Sequence, residues 1–224
     1  LDLLDAGELV VRVPPKMMAE QRRIARTRGK SDPIDALAVA RAALREPDLP
    51  IATHDEASRE LKLLVDRREN LVGERTRMMN RLRWHLHRIA PGEPLADPAP
   101  KARKRAKTCR QVEQWLQGRE GIDARLARDV LADIVRITPV INALEREIAA
   151  LVRQRAPELL ELPGCAELTA AKRYGESAGI GRFATDAKYA MHAGVAPIPA
   201  WSGRTQGRVR HNKSGNRQLN TALH

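Results

Sequence analysis

The sequence predicts an α-rich α/β protein on three observations. A β-branched run near the start is closed by two prolines, two long stretches carry apolar residues in alternating steps of three and four, and the last third ends in a glycine-punctuated basic segment. With 224 residues, 42% of them hydrophobic, the chain can bury the core of one large or two small domains.

The charge balance points to a polyanionic partner. Lys and Arg number 40 against 28 Asp and Glu, a formal charge of +12, for which nucleic acid is the default partner and a merely basic helical surface the alternative. Cys109 and Cys165 are too few and too far apart for a zinc ribbon or a disulfide framework, which suggests a reducing interior. No stretch approaches the ~20 apolar residues that span a bilayer. The opening Leu1-Asp2-Leu3-Leu4-Asp5 lacks the basic-then-apolar order of a signal peptide, so a cytoplasmic location is expected. A first residue other than Met, and a helical pattern still running at His224, give the expectation that both ends are cut.

Leu9-Val10-Val11-Arg12-Val13, stopped by Pro14-Pro15, reads as a short, largely buried strand. Residues 16–28 follow as a basic helix or arm, with Lys16, Arg22, Arg23, Arg26 and Arg28 against the single acid Glu20, and Lys30 just beyond. An Ala-rich helix runs from Ala36 to Arg45 until Pro47 and Pro50 stop it.

From about Ser58 to Ile89, Leu61, Leu64, Leu71, Met78, Leu82 and Ile89 form an apolar seam that Arg68, Arg75 and His85 interrupt. A cleaner seam holds Val130, Ile134, Ile137, Ile141, Leu144, Ile148 and Leu151, with Pro139 expected to kink it. Between them, residues 91–107 are rich in Pro and then in Lys and Arg, an exposed connection. A long antiparallel helical hairpin, or a dimeric coiled coil built from it, satisfies both seams.

The third segment opens at Leu159 and runs through Leu162-Pro163-Gly164, a turn between helices whose free N–H groups and following helix N-terminus suit a phosphate, although a plain helix–helix turn explains it as well. From Lys188 onward there is no acidic residue, while Arg204, Arg208, Arg210, Lys213 and Arg217 surround Ser202, Gly203, Gly207 and Gly215. Such a segment can meet a phosphodiester with backbone and guanidinium groups together.

Two constellations could do chemistry. Asp32 and Asp35, three apart with Pro33 between, share one face of a helix, and paired carboxylates offer Mg²⁺ the hard oxygens it prefers. The competing reading is structural: Asp32 suits an N-cap, Pro33 the first helical position and Asp35 the dipole. Ser202 before Gly203 is by itself a turn. A serine hydroxyl is a weak nucleophile until activated, and the flanking arginines can neutralise charge developing on a phosphate. His192 and His211 lack supporting spacing as acid–base partners, and Trp201 either stacks on a base or anchors its loop.

The ordered words Gly29-Lys30-Ser31-Asp32-Pro33-Ile34-Asp35-Ala36, the helical insert, Leu162-Pro163-Gly164, Ala193-Gly194-Val195-Ala196-Pro197, Ser202-Gly203 and Lys213-Ser214-Gly215-Asn216-Arg217-Gln218-Leu219 resemble one family over nearly the whole chain. The resemblance is to the DEDD-type insertion-sequence transposases, the bridge-RNA-guided serine recombinases of bacterial mobile elements. It implies three parts: the end of an RNase H-like (RuvC-like) domain over residues 1–50, a helical coiled-coil region over 51–157, and a helical C-terminal transposase domain over 158–224. It makes Asp32 and Asp35 the last two acids of a Mg²⁺-binding tetrad, with the other two upstream of Leu1, and Ser202 the nucleophile.

Its implied partners are element and target DNA, a guide RNA and further copies of the chain, with the acids of one protomer serving the serine of another. Arg22, Arg23, Arg26, Arg28, Lys30, Arg204, Arg208, Arg210, Lys213 and Arg217 become phosphate contacts. A fragment with half the tetrad is expected to bind nucleic acid without transferring strands. The alternative is a non-catalytic nucleic-acid-binding remnant or regulator.

Overall fold

The computed structural model describes residues 2–24, 31–49, 51–53, 55–94, 106–211 and 215–223. It is mostly helical and falls into two compact units, Leu1–Glu56 and Ala57–His224.

In the first unit, α1 (Asp2–Asp5) is a single turn, and α2 (Pro15–Ile24) starts on the second of two prolines, where a missing N–H costs nothing. The expected buried strand at residues 9–13 does not form. Val11 makes one antiparallel bridge to Ile51, the Ala52 N–H donates to the Val10 carbonyl at 2.7 Å, and Leu9 is 76% exposed. β-branched residues favour a strand only where a neighbouring ladder receives them, and among the described residues that ladder is one bridge long.

Helix α3 (Asp32–Arg45) begins four residues earlier than expected, and its N-cap is Ser31 rather than Asp32. Pro33 then sits at the second helical position, and the Asp35 N–H closes the first turn on the Ser31 carbonyl at 3.0 Å. Ala38 and Ala42, one turn apart, are its buried residues, small enough to let α2 pack close.

The second unit is built on two long antiparallel helices, α4 (Glu56–Ile89) and α6 (Ile122–Arg155). Their apolar faces meet in three clusters whose order proves the direction. Leu61 and Val65 meet Ile148 and Val152, Leu71 meets Ile137 and Ile141, and Met79, Leu82 and Leu86 meet Ala127, Leu131 and Ile134. Helix α5 (Ala106–Leu116) closes the last cluster with Val112 and Leu116. Of the expected α6 seam, Ile134, Ile137, Ile141 and Ile148 are buried. On α4 the buried stripe runs through Leu61, Val65, Leu71, Arg75, Met79, Leu82 and Leu86, so it takes in Arg75 rather than being broken by it.

Polar pairs along the hairpin fix its register: the ion pairs Glu60–Arg155 and Arg68–Glu145, and the hydrogen bond His85–Asp123, with Nδ1 2.9 Å from Oδ1. Slipping one helix past the other would part all three. Pro139 lies within α6, and the Thr138 hydroxyl donates to the Ile134 carbonyl at 2.7 Å beside it.

Beyond a 3₁₀ turn at Pro157–Glu161, α7 (Glu167–Ser177) packs on the open end of the hairpin through Ala170 and Ala171. Gly175 makes this possible, because a Cβ there would lie 2.9 Å from the Lys62 backbone nitrogen. Helix α8 (Asp186–Ala193) is capped by Thr185, whose Oγ1 accepts from the Lys188 N–H, and ends on Gly194 at φ 71°. Two short antiparallel strands follow, β1 (Pro197–Pro199) and β2 (Val209–His211), and α9 (Arg217–Leu223) ends the described chain with Leu219 buried. No described helix is long and apolar enough to cross a membrane.

Candidate active site and nucleic-acid interface

Asp32 and Asp35 both stand on the first turn of α3, as their spacing requires, with Asp32 exposed and Asp35 partly covered. Asp35 is not free: its Oδ1 accepts from Arg22 Nη1 of α2 at 3.0 Å. Arg22, expected as a phosphate contact, therefore holds one of the expected metal ligands. Arg23, its neighbour, is exposed. Arg26, Arg28, Lys30 and Lys213 lie outside the described residues. Among the described residues, no group of three or more His, Cys, Asp or Glu side chains converges as a metal site.

In the second unit, Ser202 lies in the loop of the β1–β2 hairpin. The Ala200 N–H donates to the Arg208 carbonyl at 2.9 Å, and between them a 3₁₀ turn, Gly203–Thr205, is tied back to Ser202. The Ser202 N–H donates to Thr205 Oγ1, and its carbonyl accepts from the Thr205 N–H, each at 3.1 Å. A backbone held from both sides presents its side chain on a fixed turn. All of Trp201 to Arg210 is exposed, and Arg204, Arg208 and Arg210 make no ion pair among the described residues.

Of the two histidines weighed beside this loop, His192 is engaged elsewhere. Its Nε2 is 3.1 Å from Arg182 Nη2 and its ring 5.1 Å from that of Phe183. At the Pro163-Gly164 turn, the helix that follows carries Glu167 in its first turn. Bonds from its own backbone N–H and from Arg153 (2.6 Å) hold this carboxylate below the usual glutamate range, so the N-terminus of α7 already carries an anion.

Residues 2–91 match the family model of DEDD-type IS110 elements, described as a transposase, and residues 156–224 match the model described as transposase IS116/IS110/IS902 family. The chain belongs to the IS110-type transposases. Three relatives are similar over almost all of it: an insertion element IS116 protein of Streptomyces clavuligerus (26% identical over 97% of this chain), an IS900 protein of Mycobacterium paratuberculosis (25% over 97%) and an IS110 protein of Streptomyces coelicolor (27% over 98%). The chain spans 65% of the length of each.

In this transposase-family chain, two of the motifs quoted above meet each other. Asn216 caps α9, its Oδ1 accepting from the N–H groups of Gln218 (2.9 Å) and Leu219 (3.0 Å). Its own N–H donates to the His192 carbonyl at 2.7 Å, and Asn220 Nδ2 reaches the carbonyls of Ala193 and Gly194 at 3.2 Å each. Gly215 permits the approach: at φ 116°, a Cβ there would lie 2.7 Å from the Gly194 nitrogen and the His192 oxygen.

Sequence reasoning missed the residue that ties this junction to the hairpin. Glu176 of α7, with its side chain 7% exposed, accepts from Lys62 of α4 and from Asn216 Nδ2. Burial pushes its carboxyl up, yet the two hydrogen bonds and the nearby Lys172 hold it below the ordinary range. No spacing signal could have found it, since its partners lie 114 and 40 residues away.

Proposed function

We propose that this chain is the strand-exchange part of a DNA transposase that cuts and rejoins the strands of an insertion sequence, guided by RNA, with Ser202 as nucleophile. The observation that carries this reading is the hairpin loop, where Ser202 stands exposed among Arg204, Arg208 and Arg210 with no acid from Lys188 onward. The Ser202 oxygen would form the new bond to phosphorus, the bond to the leaving sugar oxygen would break, and that oxygen would take up a proton. Meanwhile the three guanidinium groups balance the charge gathering on the phosphoryl oxygens. Arg217 and the basic α2 segment extend the phosphate contacts.

Asp32 and Asp35 fit Mg²⁺ as two of its oxygen donors, since that ion is commonly held by one or two carboxylates together with waters and substrate phosphates. When bound it would supply a Lewis acid at the scissile phosphate. Arg22 has a part in this: it orients the Asp35 carboxylate until the phosphate arrives to compete for the guanidinium. In this reading residues 1–50 are the end of an RNase H-like domain, the helical hairpin is a coiled-coil region that brings protomers together, and the acids of one protomer serve the serine of another.

The Arg22–Asp35 ion pair also favours a second reading, a nucleic-acid-binding remnant in which the carboxylate is purely structural. The two separate in a protein of family length that contains this chain and an upstream segment with an Asp and a Glu. Incubated with element-end DNA and Mg²⁺, it should form a covalent protein–DNA species that Ser202→Ala and Asp35→Asn each abolish. A species that survives Ser202→Ala sinks the nucleophile, and no cleavage at all favours the remnant.

A further inference from the structure

The second half of α4 has an outer face to which neither the family motifs nor the proposed chemistry gives a role. Arg77, Arg81, Trp84 and Arg88 follow one another at steps of four, three and four, which on a helix is a single stripe. Met79, Leu82 and Leu86 occupy the opposite, buried side. Glu74 is the last acid of the helix, and none occurs from Arg75 to Ile89. Arg77 and Arg81 are exposed and make no ion pair among the described residues.

Trp84 is the unusual member, an indole left 55% exposed in the middle of this positive stripe. It does not hang loose. The Arg88 guanidinium lies 4.6 Å from its ring centroid, and the His85 ring meets it edge-on at 5.0 Å. Asp123 of α6 holds both neighbours, its Oδ2 standing 3.2 Å from Arg88 Nε in an ion pair and its Oδ1 2.9 Å from His85 Nδ1. The ring is thus positioned from the hairpin's own core, a preorganised aromatic plate between cations.

We propose that this face binds an unpaired stretch of RNA, with Trp84 stacked on one base and Arg77, Arg81 and Arg88 on the neighbouring phosphates. From Arg77 to Arg88 the helix rises about 16 Å at roughly 1.5 Å per residue, room for a few nucleotides of extended strand. A lone ring on a convex helix can stack only on a base that has left its own stack. Duplex DNA keeps its bases inside, whereas RNA loops and bulges splay theirs out, and these are what aromatic side chains and arginine planes recognise. The site stands apart from the chemistry proposed above and needs none of Asp32, Asp35 or Ser202.

The test uses the purified 224-residue chain and two probes, a stem–loop RNA with an unpaired loop and a blunt DNA duplex of equal length, each titrated across a range of salt. Trp84→Ala should weaken RNA binding by about tenfold to a hundredfold, the worth of one base–aromatic stack, and leave the salt slope unchanged. Trp84→Phe should restore most of that loss. Arg77→Gln with Arg81→Gln should lower the slope of log K against log salt by about 1.4, two single-strand phosphates' worth. Duplex binding should barely move in any variant. All four positions are exposed, so far-UV circular dichroism should report an unchanged helix content. Wild-type RNA affinity in Trp84→Ala overturns the proposal, as does an equal loss on RNA and duplex DNA, which would make the stripe a general electrostatic surface.

Discussion

The α4–α6 hairpin and the β1–β2 loop are both rich in arginine and treat it in opposite ways. In the hairpin, Arg68 and Arg155 cross to Glu145 and Glu60 of the facing helix, and the apolar seam between them supplies most of the attraction. Such pairs add little stability each, but a wrong register strands several charges at once, so their gain is specificity. In the loop, Arg204, Arg208 and Arg210 face water without a carboxylate. Charge paired internally builds the scaffold, and the unpaired charge of the loop is what the proposed function assigns to a polyanion.

The junction that attaches the loop region to the hairpin is the place to break this contrast most severely. Gly215→Ala forces a Cβ into the Gly194 and His192 backbone at a φ that side chains rarely adopt, and should cost about 3 kcal/mol. Thermal unfolding reads this as a fall in Tm, and an unchanged Tm would mean that the two motifs do not touch.

Glu176→Ala comes next, at about 2 kcal/mol, because it leaves Asn216 and Lys62 without their shared acceptor. The carboxyl is held below its unfolded value of about 4.5, so its contribution is present above that pH and disappears as pH falls through the lower folded value. Urea unfolding of wild type and variant should therefore differ at pH 7 and converge in acid. A gap that stays constant with pH would remove the ionised carboxylate from the account.

The smallest effect has the opposite sign. Arg75 is 7% exposed inside the hairpin stripe, burial lowers its affinity for its proton, and its Nε finds no hydrogen-bond partner. Arg75→Met keeps the length and removes the desolvated charge, so it should raise stability by about 1 kcal/mol in the same unfolding measurement. Destabilisation instead would show that the guanidinium has a partner worth keeping.

What the sequence disclosed follows the same division. The seams of α4 and α6 were legible because a buried face must repeat every three to four residues, and Ile134, Ile137, Ile141 and Ile148 are buried as that pattern demands. Arg75 was misread as a break, since periodicity cannot tell a buried cation from an exposed one. The run at residues 9–13 looked like a strand because β-branched residues favour one, but propensity cannot supply the neighbouring strand. The acid pair and the serine are proposed as site residues through ordered family words, and their spacing alone leaves capping and turn readings open. Glu176 and the Trp84 stripe escaped, one because its partners are remote in sequence and the other because an exposed face is known only once the buried face is fixed.

The most direct test of the account is to find where DNA becomes attached. With the protein of family length, element-end DNA and Mg²⁺, quenched in denaturant and digested, mass spectrometry should find a nucleotide ester on the peptide containing Ser202. A nucleotide on any other residue, or strand cleavage that proceeds with Ser202 unmodified, would contradict it.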